Sequence, residues 1–153
     1  MPACIAAQAE QGQQAGILIY NFQLIIKTMK IGLTSVFVHD PIAAFKFYTE
    51  VLGFVKRMYM PEAWIAIVVS PEEPDGTGLL LEPNHSAIAK TYQKGLYAAN
   101  IPVIVFSVTD IQAEHERLKG RGVVFRKPPK KTEYGIEAVF EDTCGNLIQL
   151  QQI

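Results

Sequence analysis

Two ten-residue stretches that begin at residues 31 and 101 nearly repeat each other. Residues 31–40 are IGLTSVFVHD and residues 101–110 are IPVIVFSVTD, so Asp40 and Asp110 stand in matching register. Each stretch is an apolar run of strand length that ends on Asp, a residue that favours helix N-caps. A chain that uses one supersecondary unit twice buries the apolar face of each unit with the help of the other. The repeat therefore predicts two similar halves that share a core.

The segments after each copy follow the same order. Behind the first strand, Asp40 and Pro41 favour a helix start, and Gly53 favours its end. FVKRMYM (54–60), AWIAIVVS (63–70) and LLLEP (79–83) predict three more strands. Behind the second copy come a helix over 111–120 and strands within VVFRK (123–127), YGIEAVFED (134–142) and NLIQLQQI (146–153). Each half is therefore predicted as β-α-β-β-β.

Helical spacing predicts which residues of each helix are buried. In the first helix Ala44, Tyr48, Val51 and Leu52 are expected to face the sheet. In the second, a single face holds Ile111, His115 and Leu118, so His115 is interpreted as a packing residue rather than a ligand. Between the halves, residues 84–100 form a connector with a helix-like middle.

Charge and cysteine content exclude several classes of partner. The formal net charge of −1 gives no general attraction to nucleic acid or to an anionic membrane, so neither partner is expected. The basic run RKPPKK at 126–131 contains two prolines and is interpreted as a solvated loop. With only Cys4 and Cys144, neither a disulfide framework nor a CxxC metal site can form, which favours a reducing cytoplasm. Cys144, in the turn-like DTCGN, is either a reactive thiol or a small packing residue.

Residues 1–29 differ in character from the rest of the chain. AEQGQQAG is poor in apolar residues, no basic n-region of a secretory signal is present, and Asn21 and Gln23 interrupt the apolar part. We expect an appended or flexible N-terminal segment over 1–29, and we hypothesise that translation naturally starts at Met29. An intact mass of the native protein that matches the full chain would rule this out.

VFVHDPIAAFKFYTEVLGF near the front and FEDTCGNLIQL at the back form a specific pattern. A strand, an Asp, FYxxxLGF and a Gly-Asn turn before the last strand resemble the vicinal oxygen chelate superfamily of glyoxalase I, bleomycin resistance proteins and extradiol dioxygenases. The resemblance covers residues 30–153. It implies an α+β fold in which two tandem βαβββ modules curl into a cup around a cavity. The first module is expected at 30–83, the connector at 84–100 and the second module at 101–153.

The resemblance also implies where a metal would be held. Metal-using members place ligands on the first and fourth strands of each module. These positions fall here on Leu33, Glu82, Val103 and Gln149. Two of the four are aliphatic, and the remaining Glu82 and Gln149 fall short of the three or four protein ligands that a catalytic metal needs. We therefore expect no metal cofactor; a displaced site would have to use His39 and His85, farther along their strands.

Alternation along the strands assigns the lining of the implied cavity. The expected lining residues are Leu33, Ser35, Phe37, Leu80, Glu82, Val103, Val105, Ser107, Leu147, Gln149 and Gln151. Such a lining is mostly apolar with a few polar groups, as is usual for small-molecule pockets.

Glu82 is the sharpest candidate for chemistry. A carboxylate on an otherwise apolar strand is costly to bury unless it is paired, and such burial favours a general base. At the strand end, Glu82 could equally reach solvent or a Lys. Trp64 and Tyr59 are candidates for stacking on a flat ligand, and Tyr134 for donating its hydroxyl, although aromatic residues in strands also serve as core.

The sequence favours the first of three functions and leaves the other two as alternatives. The first is a metal-independent protein that binds a small, partly apolar molecule, as bleomycin resistance proteins do. The second is a lyase, isomerase or dioxygenase with a displaced metal site, or with Glu82 as base. The third is a fold retained for assembly, with its cavity filled by side chains. Because related proteins are often dimers, we also expect a homodimer, in which the modules pair within a chain or between chains.

Overall fold

The computed structural model describes residues 29–153, so the expected N-terminal segment lies outside the described residues apart from Met29. In that part of the chain no helix is long and apolar enough to cross a membrane. The elements, in chain order, are β1 (Leu33–Val38), α1 (Pro41–Lys46), β2 (Val55–Met60), β3 (Ile65–Val69), β4 (Gly78–Pro83), α2 (Ala87–Ala98), β5 (Ile104–Val108), α3 (Ile111–Gly120), β6 (Phe125–Thr132), β7 (Gly135–Glu141) and β8 (Leu147–Gln152).

The strands form two sheets of the same design. The first has the order β1-β4-β3-β2 and the second the order β5-β8-β7-β6. In each sheet the first strand pairs parallel to the fourth, and the remaining pairs are antiparallel. The two predicted βαβββ modules are thus present, and the sheets remain open rather than closing into a barrel.

The two matching Asp residues begin the helices, as the repeat predicts. One carboxylate oxygen of Asp40 accepts from Ile42 N at 2.8 Å and Ala43 N at 3.2 Å. Asp110 does the same for Gln112 N at 3.0 Å and Ala113 N at 2.9 Å. Each cap satisfies amide groups that a helix N-terminus leaves without a backbone partner.

The helices cover only one face of each sheet. Against the first sheet, Ala44 and Tyr48 are fully buried, as expected. Val51 ends a π-type turn over 47–51 and packs against the core of the second module. Leu52 follows that turn and packs against the cores of both modules. In α3 the expected face is confirmed, because Ile111, His115 and Leu118 are all buried and the His115 ring lies against Phe125.

A buried turn ties the modules together. Asp142, which is fully buried, accepts from the Tyr48 hydroxyl of the first module at 3.0 Å. Its carboxylate also accepts from Cys144 N at 2.8 Å, Asn146 N at 2.8 Å and Asn146 Nδ2 at 2.7 Å. Desolvation by burial raises the pKa of Asp142 and, well above its ordinary value, the pKa of Tyr48. The hydrogen bonds that Asn146, Cys144 and Tyr48 donate stabilise the ionised carboxylate, so they oppose this rise in the pKa of Asp142.

The connector helix α2 joins the same turn. The Gln93 amide donates to Phe37 O at 2.6 Å, Cys144 O at 3.1 Å and Asn146 Oδ1 at 3.1 Å. Its oxygen accepts from Asn84 Nδ2 at 2.6 Å. A single buried side chain of α2 therefore bridges β1, the end of β4 and the turn before β8.

The basic run RKPPKK was expected as a loop, and this expectation is wrong. It belongs to β6, the outermost strand of the second sheet. Proline lacks a ladder donor, so an edge position is where a strand tolerates it. The pairing with β7 shifts between Lys127 and Lys130, across Pro128 and Pro129.

Candidate functional site

The side of the first sheet turned away from the helices is apolar, and residues 29–153 leave it uncovered. Its central row runs across all four strands as Ser35, Leu80, Ile67 and Met58, each opposite the next. We call this side the first open face. Met58 is 45% exposed, because the described part of the chain places no element over this row.

Two further rows extend the first open face. At one end Leu33 pairs with Gly78, and a Cβ on Gly78 would lie 3.0 Å from side-chain atoms of both Leu33 and Ile67. Because Gly78 has no Cβ, these two side chains can pack above β4. At the other end Phe37 pairs with Glu82, and both are half-buried. The expected positions of Leu33, Ser35, Phe37, Leu80 and Glu82 are therefore all on this face.

The corresponding side of the second sheet, the second open face, has a different character. Val105, Gln149, Val139 and Lys127 form one row across its four strands. The next row consists of Ser107, Gln151, Glu137 and Lys130. The duplicated modules have diverged, since one open face is largely apolar and the other carries amides and charges.

A groove borders the first open face. It has a volume of about 580 Å³ and runs between β1, the first half of α2 and the residue preceding β5. Tyr92 of α2 lies edge-on to Phe37, with ring centroids 6.3 Å apart. The lining residues are Ser35, Val36, Phe37, Ser86, Ile88, Ala89, Tyr92 and Val103.

Sequence reasoning missed the contribution of α2 to this groove. Ala89 and Gln93 are the buried residues of the helix, whereas Ile88 is 83% exposed and Tyr92 51% exposed. Ile88 and Tyr92 are four residues apart and share a face. Two large apolar side chains on the solvent face of a connector helix are the signal that could have indicated a binding surface.

Trp64 marks one end of the first open face. It precedes β3 and has φ of 55°, in the left-handed region that bulky residues rarely adopt. Its ring lies edge-on to His85, with centroids 5.3 Å apart, just beyond the end of β4. At 42% exposure, Trp64 remains accessible to a ligand.

Several expected site residues lie elsewhere. The Tyr59 ring stacks on Phe45 of α1, with centroids 4.1 Å apart and an interplanar angle of 14°. Tyr59 therefore packs on the helix side of the sheet and is not a stacking residue of the cavity. A bulge in β2 between Lys56 and Met58 changes the alternation just before it.

Leu147 is only 2% exposed, so burial within the chain makes it unavailable as a contact in this arrangement.

The remaining predicted residues of the second module lie at its open face. Val105, at 52% exposure, and Ser107 are accessible there. Gln149 Nε2 donates to Gln151 Oε1 at 3.4 Å, and Gln151 Nε2 donates to the Tyr134 backbone oxygen at 2.8 Å. The Tyr134 side chain extends from the turn between β6 and β7 and is highly exposed.

The residues at the superfamily's ligand positions do not fit a metal ion. Leu33 and Val103 have no donor atom, and Glu82 and Gln149 lie on different sheets. Across residues 29–153 no three His, Cys, Asp or Glu side chains come together as a possible metal-binding group. His85 lies against Trp64, whereas His39 lies over Gly145 in the turn of the second module. We therefore assign no metal-dependent step to these residues.

Of the two roles considered for Cys144, a reactive thiol or a small packing residue, the structure supports the packing role. It is 5% exposed and belongs to the core of the first module. Burial, reinforced by the nearby Asp142 carboxylate, raises the pKa of its thiol to about 12. Such a thiol is not a nucleophile near neutral pH.

Comparison with known proteins gives consistent matches. The family model described as Glyoxalase/Bleomycin resistance protein/Dioxygenase superfamily matches residues 30–150. The uncharacterized protein YurT of Bacillus subtilis (strain 168) is 50% identical over 127 residues, which cover 81% of this chain and 99% of YurT.

Two solved structures share the fold over nearly their whole length. UcmS2 is 30% identical, with a TM-score of 0.68 and coverage of 80% of this chain and 97% of its own. TnmS3, an antibiotic binding protein from Streptomyces sp. CB03234, is 26% identical, with a TM-score of 0.63 and coverage of 83% and 98%. Paired βαβββ modules, open sheet faces and a family match that spans both modules lead to one conclusion: the chain belongs to the glyoxalase/bleomycin resistance protein/dioxygenase superfamily.

Proposed function

We propose that this protein binds a small, partly apolar molecule on the first open face and in the groove beside it. The proposal rests on the apolar surface of the first sheet that residues 29–153 leave uncovered. Leu33, Met58, Met60 and Trp64 are each between 40% and 48% exposed on or at the end of one face. Apolar clusters of this kind on a soluble chain mark binding surfaces.

The groove and one similar protein support binding rather than catalysis. The groove of about 580 Å³ is open to solvent and can receive part of a small molecule, with the first open face beside it for the rest. Phe37 and Tyr92 supply aromatic surface, and the Ser35 hydroxyl supplies a polar contact. TnmS3, with the same fold, is an antibiotic binding protein. Binding requires neither a metal donor set nor an activated nucleophile, and the described residues assemble neither.

A second copy of the chain would complete the cavity. Within residues 29–153 the first open face is uncovered, and Val105, Ser107 and Lys127 of the second are exposed. Two such faces opposed across a homodimer would enclose a ligand between an apolar and a polar wall. The low cysteine content and the buried free thiol of Cys144 suit a cytoplasmic protein.

Small molecules released from the natively purified full chain test the proposal. We expect a co-purifying compound at stoichiometric amount in the wild type, identified by mass spectrometry of the denatured protein. Ser35→Trp fills the groove and should abolish its retention, whereas Gln112→Trp, on the exposed side of α3, should not. Equal retention by Ser35→Trp and wild type would place the ligand elsewhere and overturn the assignment.

A further inference from the structure

We propose that the molecule bound on the first open face carries a positively charged nitrogen, held by the Glu82 carboxylate beside the Phe37 ring. The inference rests on the binding function proposed above and names the chemical class of its ligand. That class is an organic cation with an apolar body.

The carboxylate of Glu82 points away from the core. In β4, Leu79 and Leu81 are 5% and 0% exposed and belong to the core under the helices. Alternation therefore turns Leu80 and Glu82 to the open face. Glu82 is the acidic residue among the apolar pairs of this face, directly opposite Phe37 in the parallel ladder.

Glu82 has no basic partner in the described chain. The ion pairs of residues 29–153 join other groups, namely His115 with Glu116, Arg117 with Glu114, and Arg126 with Glu141. Arg57 of the same sheet donates to Gly76 O at 2.9 Å, just before β4 begins and at the opposite end of that strand. A half-buried carboxylate on an apolar surface is stabilised by an opposite charge, which a ligand can supply.

Aromatic rings flank this carboxylate. Phe37 is its cross-strand neighbour, and Tyr92 lies edge-on to Phe37. Ile67 pairs with Leu80, and two residues farther along the same antiparallel ladder Ile65 comes opposite Glu82. Trp64, which precedes Ile65, therefore lies close to Glu82. The negative faces of aromatic rings attract organic cations, and a carboxylate among such rings strengthens that attraction. A neutral ligand would gain less from this combination than a cation, and the carboxylate would repel an anion.

Three small probes of similar shape and different charge test the inference by calorimetry. The cation is N-methylquinolinium, the neutral probe is 2-methylquinoline and the anion is quinoline-2-carboxylate. Binding is measured on the full chain at about pH 8, where 2-methylquinoline is uncharged, with EDTA present. We expect the cation to bind about tenfold more tightly than the neutral probe, and the anion to bind most weakly. Glu82→Gln should remove the preference for the cation while leaving the affinity for 2-methylquinoline within about twofold.

Glu50→Gln is the matched control, because it removes the same charge from an exposed position behind α1. It should leave all three affinities unchanged, and thermal unfolding would confirm that both variants are folded. Equal binding of the cation and the neutral probe, or a preference that survives Glu82→Gln, would overturn the inference while the binding function stands. Failure of all three probes to bind would count against the binding function itself and would remove the inference with it.

Discussion

At the scale of single residues, the contact between Tyr48 and Asp142 decides how firmly the modules are joined. Both side chains are fully buried, and the Tyr48 hydroxyl donates across the module boundary. Tyr48→Phe removes that donor and leaves a buried carboxylate with one hydrogen bond fewer. We predict a loss of about 1–3 kcal/mol in the free energy of unfolding, measured by urea denaturation. Tyr134→Phe, at a highly exposed hydroxyl, should cost almost nothing.

The pH dependence of this loss follows from the raised pKa of Asp142. Because burial holds the pKa above its unfolded value, the native state binds more protons in the intervening range, and stability falls as pH rises through it. The Tyr48 hydroxyl stabilises the ionised carboxylate, so the penalty of Tyr48→Phe should grow as pH rises above the ordinary pKa range of an Asp carboxyl and Asp142 becomes ionised. A penalty that is constant with pH would show that the Tyr48 hydroxyl does not stabilise the ionised form.

At the scale of elements, local sequence rules predicted most of the fold. Asp40 and Asp110 cap their helices because capping depends on residues two and three positions away. The faces of Ala44, Tyr48 and Ile111 follow from helical spacing alone.

Features that depend on distant partners were not predictable. Tyr59 lies on the helix side because it pairs with the buried Ala66 of β3. RKPPKK became a strand because β7 offers it an edge. Part of the candidate groove was missed for the same reason. Tyr92 lines it only because Gln93 anchors the connector helix to the turn around Cys144. No local pattern in residues 84–100 encodes that anchoring.

The anchoring of α2 gives a prediction for the helix as a unit. Gln93→Ala would leave two buried side-chain atoms, Asn84 Nδ2 and Asn146 Oδ1, without the partner that Gln93 gives them. The backbone oxygens of Phe37 and Cys144 would each lose one of two donors. We expect a destabilisation of about 2–4 kcal/mol, since each buried polar group left unpaired costs about 1–3 kcal/mol. Hydrogen exchange should accelerate in α2 more than in α3. Lys94→Ala, at the next and exposed position of α2, should leave exchange unchanged; similar acceleration in both helices would argue that Gln93 stabilises the whole chain rather than this element.

At the scale of the whole molecule, the two open faces give the chain complementary walls. The first presents Leu80, Ile67 and Met58, and the second presents Gln149 and Lys127 in the equivalent row. If a second copy opposes them, each cavity of the dimer has one apolar and one polar side. Such a cavity would orient a ligand that has both kinds of surface, which neither face alone can do.

Light scattering over a range of protein concentrations tests that arrangement. We predict that the wild-type chain is a dimer and that Met58→Glu shifts it toward the monomer by at least about tenfold in dissociation constant. The physical reason is that a charge introduced in the central row of the first open face would have to be desolvated on association. Ala113→Glu adds the same charge to the exposed side of α3 and should leave the dimer intact. A wild-type mass that stays monomeric at every concentration would mean that one chain forms the site alone, and the groove between β1 and α2 would then be the whole binding site.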